Sequence, residues 1–366
     1  MEIYLVGGAV RNRLLGLQVD EHDYVVVGAT TDAMKSLGFQ SVGKDFPVFL
    51  HPETKEEYAL ARTERKVGEG HKGFECETES VTLVQDLMRR DLTINAIAQD
   101  AEGNLVDPWG GVYDLEQRYL RHISPAFAED PLRVLRVARF AALLSPQGFR
   151  VHPDTVVLMQ AIVERGELAE LAPERVFIEL EKALQTSAPP VFFRVLQEVG
   201  ANDVFWPEIG ADDMDALQVS TPAMRSPELR FAALVSKLGS AEVDHIAHRI
   251  RLPARYRKFA QLVRSLYATW PNESSLGNEE IIDLLYRADA IRQPARFSEA
   301  NQLLSLLWSA SRIDAQTIES RWSAYLDALT HVTSDSIEGV EPGPALGAAI
   351  RDARIQRVAT IRAGKN

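Results

Sequence analysis

The chain has 366 residues, of which 46% are hydrophobic and 25% are charged. This is the composition of an ordinary globular protein, and the length exceeds what one compact core serves, so we expect two or more modules. No apolar run is long enough to span a bilayer and no secretory signal pattern is present, which predicts a cytoplasmic protein without a membrane partner. The single cysteine, Cys76, excludes a disulfide framework and a multi-cysteine zinc site.

The net charge of −12 argues against a polyanionic partner unless the basic residues are locally concentrated. Two stretches meet that condition. Residues 249–264 hold six Arg/Lys and no acid, and residues 351–366 hold five Arg/Lys against one Asp. Two solvated helical faces also explain this pattern, so charge alone does not identify a partner.

In chain order, the first hundred or so residues mix short β-type runs with helical stretches. Strands are predicted at 3–8, 24–29, 47–51 and 57–62, and helices at 9–16 and 31–37. The polar, glycine-bearing residues 63–80 have no periodicity and are predicted to form a mobile loop. The G-x-G-x-x-G pattern at 68–73 has no apolar strand before it and no helix after it, so a dinucleotide site is not expected.

From Asp130 onward the pattern becomes helical. In DPLRVLRVARFAALL the apolar residues recur at helical spacing, with Asp130 as N-cap and Pro131 in the first turn. Further helical segments follow, and no convincing strand is expected after about residue 125. The predicted fold is an α/β head at 1–125, followed by an all-α neck at 126–190 and an all-α body and tail at 191–366.

Two neighbouring features in the head suggest phosphate chemistry. Gly7 and Gly8 follow a predicted strand and open a helix, where a bare backbone approaches phosphate oxygens and Arg11 adds a charged contact. Glu21 and Asp23 lead into the next strand, whose alternation puts both carboxylates on one face. Carboxylates placed in this way can hold Mg²⁺. Each feature alone is common on protein surfaces.

Together, LVGGAVRN at 5–12 and DEHD at 20–23 resemble the signature of the polymerase-β-like nucleotidyltransferases. The resemblance is closest to the bacterial CCA-adding enzymes and poly(A) polymerases. It extends over about residues 1–190 and includes LMRRDLTINAIA at 87–98 and EDPLRVLRVAR at 129–139. The chain departs from the family at Glu21, where Asp is usual, and at Asn12, where Asp is common. Glu still ligates Mg²⁺, and an amide can still orient Arg11.

The resemblance implies a polymerase-β-like head in which Glu21 and Asp23 are the Mg²⁺ ligands. It also implies a third carboxylate that completes the metal site or acts as a base. Glu57 is our candidate for this position and Glu56 is the alternative, because only one of two adjacent strand residues faces inward.

The family also uses the helix that resembles 129–139 as an amino-acid template for the incoming base. Asp130 would accept from the amino group of cytosine or adenine, and Arg133 would donate to their ring acceptors. Guanine and uracil would leave the Asp130 charge unpaired. Contacts with the triphosphate or ribose are implied for Gly8, Arg11, Arg90, Arg136 and Arg139.

The implied function is template-independent addition and repair of the 3′-terminal CCA of tRNA, from CTP and ATP. The RNA partner is the tRNA acceptor arm and elbow, and no obligate protein partner is inferred. The candidate phosphate contacts in the basic stretch are Arg251, Arg255, Arg257 and Lys258.

Two alternatives stay open at this point, a poly(A)- or partial-specificity relative and a catalytically silent tRNA-binding protein. Longer relatives in the family carry a His-Asp phosphohydrolase domain. The helix at 231–239 has no His or Asp, and His245 and His248 have no third ligand in sight. We therefore expect a short form without phosphohydrolase activity.

Overall fold

The computed structural model describes residues 1–42, 48–66, 74–77 and 80–364, and the glycine pattern at 68–73 lies outside them. The chain forms two compact units, Met1–Phe205 and Trp206–Asn366. Among the described residues, no helix is both long and apolar enough to cross a bilayer.

The strands lie in the first unit and form three sheets. They are β1 (Glu2–Val6), β2 (Asp23–Val27), β3 (Gln40–Ser41), β4 (Val48–Leu50), β5 (Glu57–Leu60), β6 (Thr63–Lys66), β7 (Phe74–Glu77), β8 (Ala98–Gln99), β9 (Leu105–Val106), β10 (Tyr119–Leu120) and β11 (Arg150–Val151). Seven of them form one sheet in the order β3-β4-β5-β2-β1-β8-β9. In it β2 pairs antiparallel with β1 and parallel with β5.

The helices of the first unit are α1 (Gly8–Leu14), α2 (Thr31–Ser36), α3 (Leu83–Met88), α4 (Gly111–Gln117), α5 (Leu132–Leu144), α6 (Pro153–Glu164), α7 (Pro173–Leu184), α8 (Pro190–Glu198) and α9 (Asn202–Phe205). Its 3-10 turns lie at Thr93–Asn95, Pro125–Glu129, Ser145–Gln147 and Glu167–Glu170. The second unit contains α10 (Ala211–Ser220), α11 (Pro227–Leu234), α12 (Ser240–Arg249), α13 (Ala254–Tyr267), α14 (Asn278–Arg287), α15 (Pro294–Trp308), α16 (Ala315–His331) and α17 (Pro344–Arg362). Its 3-10 turns lie at Trp270–Ser275 and Ser334–Ser336. This is the α/β head followed by helices that the sequence predicts.

Strand β2 is buried on both faces of the large sheet. Val25 packs on one face with Leu87 of α3, and Val26 packs on the other with Met34 of α2 and Phe49 of β4. Two covered faces explain the unbroken apolar run of β2, because neither face needs a polar side chain. Asp23, the first residue of β2, is therefore the polar start of a rigid central strand.

Helix α5 packs against α7 and α8 through an apolar side. Val134, Leu135, Val137 and Ala138 are fully buried there. Burying each large apolar side chain contributes about 1.5–3 kcal/mol, so this side fixes the rotation of the helix about its axis. The arginines at the intervening positions consequently face away from this core.

Two predicted boundaries and one predicted loop are corrected by the structure. Within the predicted loop, β6 and β7 form an antiparallel hairpin, because backbone pairing is available even to polar residues. Strand β11 lies beyond residue 125 and pairs in parallel with β10. Helix α5 begins at Leu132, one residue later than expected, and Oδ1 of Asp130 accepts a hydrogen bond from the Leu132 N–H at 3.2 Å.

Gly111 at the start of α4 provides a stability test. A Cβ there would lie 2.3 Å from the carbonyl oxygen of Thr93 and 2.7 Å from Cγ1 of Ile97. We expect Gly111→Ala to lower the free energy of unfolding by about 2–3 kcal/mol, because the overlap forces backbone apart. Urea unfolding of the full chain measures this.

The matched control is Gly347→Ala in α17, where a Cβ meets nothing within 4 Å. It should raise the free energy of unfolding by about 0.5–1 kcal/mol, since alanine has the better helix propensity. Equal effects of the two substitutions would contradict the close approach at Gly111.

Candidate functional site

The turn between β1 and α1 forms part of the wall of a large cavity in the first unit, which Gly7 and Gly8 both line. Gly7 has φ +70°, a left-handed conformation that favours glycine. A Cβ at Gly7 would also lie 3.2 Å from Nη1 of Arg90. The turn therefore requires glycine for its backbone, and the absence of a side chain lets Arg90 lie against it.

Glu21 and Asp23 line the same cavity, as their predicted common face requires. Burial raises the pKa of the Asp23 carboxyl, Arg90 opposes this shift, and the neighbouring charge of Glu21 adds to it. A cation between two neighbouring carboxylates offsets the repulsion between their charges. Hard oxygen donors of this kind fit a divalent cation that takes its remaining ligands from phosphate and water.

Glu57 lies beside Asp23 in the parallel register of β2 and β5. The next pair in that register, Tyr24 and Tyr58, stacks on the opposite face with ring centroids 4.5 Å apart. Paired residues of these strands thus project together, which puts Glu57 on the same face as Asp23.

The alternative, Glu56, projects towards His22, with the nearest oxygen 3.4 Å from Nδ1. Glu57 is exposed and does not line the cavity. No group of three or more His, Cys, Asp or Glu able to hold a metal occurs in the described part of the chain. The register thus favours Glu57 over Glu56, and the position of its side chain leaves it outside the cavity wall.

Arg11 is buried, and two asparagines orient its guanidinium. Nη1 donates to Oδ1 of Asn95 at 2.8 Å, and Nε and Nη2 donate to Oδ1 of Asn12 at 3.1 and 2.9 Å. Burial lowers the pKa of Arg11 to about 10, while the charge of Asp91 counteracts that effect. The group stays protonated at neutral pH, and the amide of Asn12 performs the orienting role expected of it.

Asp91 is a buried carboxylate that connects the head to α5. Its Oδ2 accepts from Nε and Nη2 of Arg136 at 2.8 and 2.6 Å. Its Oδ1 accepts from Nδ2 of Asn95 at 3.0 Å and from the Leu92 N–H at 2.9 Å. Burial alone would raise the pKa of Asp91, but Arg136 and these hydrogen bonds hold it well below its ordinary value. The same carboxylate therefore fixes Arg136 directly and Arg11 through Asn95.

Asp86 of α3 anchors a second group of arginines. Its Oδ1 accepts from Nε and Nη2 of Arg89 at 3.0 and 2.9 Å and from the Arg62 N–H at 3.2 Å. Arg90 completes the cluster with an Nη2–Oδ2 distance of 3.4 Å. Burial acts to raise the pKa of Asp86, and Arg89 and Arg90 outweigh it and lower the pKa.

Glu179 of α7 is the third buried acid behind the cavity. Its Oε2 accepts from Nε of Arg139 at 2.5 Å, and its Oε1 lies 3.8 Å from Nη1 of Arg136. Arg136 and Arg139, which are both expected to bind phosphate, thus lie near the same carboxylate. That carboxylate belongs to α7, a helix without any predicted nucleotide contact.

The predicted template residues Asp130 and Arg133 both line the cavity. Oδ2 of Asp130 accepts from Nη2 of Arg175 at 2.9 Å. The Arg133 guanidinium donates to two backbone carbonyls, those of Ala126 at 3.1 Å and Arg89 at 2.6 Å. These bonds hold both side chains in place before any ligand enters.

The cavity has a volume of about 1470 Å³ and a strongly basic lining. Eight arginines and five carboxylates line it, a formal charge of +3 in a chain whose net charge is −12. The arginines are Arg11, Arg62, Arg89, Arg90, Arg133, Arg136, Arg139 and Arg175. The adjacent Glu21 and Asp23, together with guanidiniums fixed by hydrogen bonds, suit a polyphosphate ligand accompanied by a divalent cation.

Four residues that hold the site's side chains, Asp86, Asp91, Glu179 and Arg175, are not among those predicted from the sequence. Asp91 has the clearest sequence signal of these four residues. It directly follows two arginines, and a lone acid in that position suggests a buried ion pair. Glu179 and Arg175 are distant from the cavity motifs along the chain, and only tertiary packing brings them near.

The basic stretch of the second unit is partly neutralised by acids from other helices. Arg255 pairs with Glu228 at 2.8 Å, and Arg257 pairs with Asp244 at 3.0 Å. The side chains of Arg251 and Lys258 are exposed. His245 and His248 are also exposed, on α12.

The basic residues of α17 largely attach that helix to its neighbours. Arg354 is buried and donates to the Val332 carbonyl at 2.8 Å, and Arg351 pairs with Asp283 at 2.9 Å. Basic residues of 351–366 therefore mostly contact other parts of the second unit rather than forming a free positive surface.

Replacing Asp91 with Asn tests the buried ion pair. At pH 7 we expect Asp91→Asn to lower the free energy of unfolding by about 2–3 kcal/mol, because Arg136 loses the charged partner to which two of its N–H groups donate. Since folding lowers the pKa of Asp91 from its ordinary 3.8, its contribution is present above that value and is lost as the pH falls below it.

The difference between wild type and Asp91→Asn should therefore shrink between pH 5 and pH 3 in urea unfolding. Asp32→Asn, at an exposed carboxylate of α2, is the control and should change stability by less than about 0.5 kcal/mol. A pH-independent difference would show that the charge of Asp91 does not stabilise the fold.

Comparison with known proteins identifies the family. Residues 3–121 match the poly A polymerase head domain, and residues 148–212 match the family described as the probable RNA and SrmB-binding site of polymerase A. Among solved structures, an apo form of a CCA-adding enzyme has a TM-score of 0.72 at 20% identity, covering 100% of this chain and 92% of that one. A CCA-adding enzyme with CTP has a TM-score of 0.72 at 21% identity, covering 98% and 87%. These structures share the fold.

Sequence relatives are closer. The CCA-adding enzyme of Coxiella burnetii is 43% identical over 368 aligned residues, which cover 99% of this chain and 96% of the relative. The multifunctional CCA protein of Pasteurella multocida is 44% identical over 391, covering 92% of each. With this identity over nearly the whole length and a head of the polymerase-β-like type, the chain belongs to the CCA-adding enzymes, the tRNA nucleotidyltransferases of this family.

Proposed function

We infer that this chain adds the 3′-terminal CCA to tRNA without a nucleic-acid template, using CTP and ATP and releasing pyrophosphate. The observation that carries this inference is one cavity lined by paired carboxylates, fixed arginines and the Asp130–Arg133 pair. The 43% identity to a CCA-adding enzyme over 99% of the chain supports the same conclusion.

We assign the divalent cation to Glu21 and Asp23. Nucleotidyltransferases of this family generally use a divalent metal, and we propose Mg²⁺ because carboxylate and phosphate oxygens are its preferred ligands. When bound, the ion lowers the pKa of the attacking hydroxyl and neutralises charge on the leaving group. Compared with the usual Asp, the Glu21 side chain is longer by one methylene and keeps the same carboxylate oxygen donors.

The reaction forms a bond between the RNA 3′-oxygen and the α-phosphorus and breaks the bond from that phosphorus to the β-phosphate bridge. The hydroxyl proton leaves to a base, for which Glu57 is our candidate because it projects on the face of Asp23. Arg11, Arg90, Arg136 and Arg139 would neutralise the triphosphate and hold it in one orientation, since their guanidiniums are already fixed by Asn95, Asp86, Asp91 and Glu179.

Base choice is assigned to Asp130 and Arg133. The Asp130 carboxylate accepts from the exocyclic amino group that cytosine and adenine share, and a guanidinium N–H of Arg133 donates to the adjacent ring nitrogen. Guanine and uracil present an oxygen at the position of that amino group. Two acceptors would then face each other, which leaves a partly buried charge unpaired.

Both units are assigned a part in acting on tRNA. We propose that residues 1–125 form the catalytic head, 126–190 the neck that carries the template, and 191–366 the tRNA-binding body and tail, in the cytoplasm. Arg251, Arg255, Arg257 and Lys258 remain our candidates for phosphate contacts, with Arg255 and Arg257 exchanging their acidic partners for phosphate.

Replacing Asp23 with Ala tests the catalytic assignment. Incubation of the wild type with Mg²⁺, a tRNA that ends before CCA and each labelled nucleoside triphosphate should give C, C and A addition that then stops. In Asp23→Ala we expect incorporation to fall by at least about a thousandfold, because one of the two proposed metal ligands is lost. The affinity for tRNA should stay within about twofold.

Asp32→Ala, at an exposed acid of the same head, is the matched control and should incorporate like the wild type. A long A tail from the wild type would identify a poly(A)-adding enzyme, and no incorporation would identify a silent tRNA-binding protein. Normal incorporation by Asp23→Ala would overturn the metal assignment.

Replacing Asp130 with Asn tests the template assignment. An amide both donates and accepts, so we expect the ratio of kcat/KM for UTP to that for CTP to rise by about tenfold or more. Asp154→Asn changes an exposed carboxylate that does not line the cavity and should leave the ratio unchanged. An unchanged ratio in Asp130→Asn would exclude this carboxylate from base choice.

A further inference from the structure

Phe140 of α5 lies beside three of the eight arginines that line the cavity. Its ring is 7% exposed and lines the cavity wall. Three guanidinium carbons lie near its centroid, that of Arg139 at 4.2 Å, Arg11 at 5.5 Å and Arg136 at 5.8 Å. All three distances are within the range of a cation–π interaction.

The ring joins residues from two parts of the unit. Arg136 is one helical turn before Phe140 and Arg139 directly precedes it, whereas Arg11 comes from α1 after the glycine turn. Three like charges around one point repel one another, and Arg139 indeed disfavours the protonated form of Arg11. Some attraction must oppose this repulsion for the three to stay together.

Carboxylates supply only part of that attraction. Asp91 binds Arg136 and Glu179 binds Arg139, whereas the side-chain partners of Arg11 are the neutral amides of Asn12 and Asn95. Two acids against three arginines leave a formal charge of +1. A third acid would strengthen the cluster and would also cancel the charge available to a ligand. An aromatic face attracts cations through its quadrupole and keeps their charge intact.

We propose that Phe140 is a positioning residue for the triphosphate of the incoming nucleotide. Its ring holds Arg11, Arg136 and Arg139 at fixed spacing without neutralising them, so that the three meet a polyanion as one preorganised group. The proposal rests on the proposed function only in taking CTP and ATP as ligands of this cavity. It assigns Phe140 no contact with the base.

The competing explanation is that Phe140 only fills space. Phe140→Leu removes the aromatic face and keeps an apolar side chain, Phe140→Met does so with a longer and more flexible side chain that adapts to the space, and Phe140→Tyr keeps the face. Phe149→Leu is the matched control, because Phe149 is 5% exposed and lies 5.4 Å from the guanidinium of Arg118, yet does not line the cavity.

The experiment measures the binding of CTP and of cytidine to each full-length variant by calorimetry, with circular dichroism as a check of folding. In Phe140→Leu and Phe140→Met the Kd of CTP should rise by about tenfold to a hundredfold, because the arginines are no longer held at fixed spacing and must be ordered when CTP binds. The Kd of cytidine should change by less than about twofold. Phe140→Tyr should restore CTP binding to within about threefold of the wild type.

Three results would overturn the proposal. They are normal CTP binding in Phe140→Met, an equal loss in Phe140→Tyr, and a loss that cytidine or Phe149→Leu shares to the same extent. If the wild type itself neither binds CTP nor incorporates nucleotides, the proposed function fails. If the wild type binds CTP and the Phe140→Met variant binds it equally well, only the role of Phe140 fails.

Discussion

The cavity depends on carboxylates buried behind its arginines, and the Asp91–Arg136 pair is the central one. Eight guanidiniums around one space repel each other, and their assembly requires negative charge close to them. Asp86 of α3, Asp91 between α3 and the Thr93–Asn95 turn, and Glu179 of α7 supply it. Asp91 lines the cavity, whereas Asp86 and Glu179 do not. Because these carboxylates hold the guanidiniums through hydrogen bonds and the arginines of the lining outnumber its acids, the cavity still offers positive charge to a substrate.

This arrangement also explains how an acidic protein acts on polyanions. A net charge of −12 would keep triphosphate and RNA at a distance if it were spread evenly. Instead a formal charge of +3 lines one concave space whose protein walls strengthen electrostatic attraction. Glu21 and Asp23, at and just before the start of β2, add negative charge to the lining, and they are the residues to which we assign a divalent cation.

Much of the fold and of the site could be predicted from the sequence because local rules govern it. The apolar run of β2, the glycine turn and the helical stripe of α5 each follow from a short stretch of chain. Of the predicted carboxylates, Glu21, Asp23 and Asp130 line one cavity together with the predicted arginines, and Glu57 does not. The β6–β7 hairpin was missed because polar residues pair through the backbone without an apolar signal. The basic stretch at 249–264 looked freer of acids than it is, since Glu228 and Asp244 lie outside it along the chain.

The sequence by itself determined the head-and-helix architecture, the family and the residues that carry charge into the site. It did so because those features depend on residue type and on spacing of a few positions. Only the tertiary structure decided which acid holds which arginine, that Glu57 and not Glu56 projects beside Asp23, and that Phe140 gathers three cations. These are contacts between elements far apart in the chain, and burial sets their strength. A local sequence pattern therefore predicts neither which residues are in contact nor how strongly they interact.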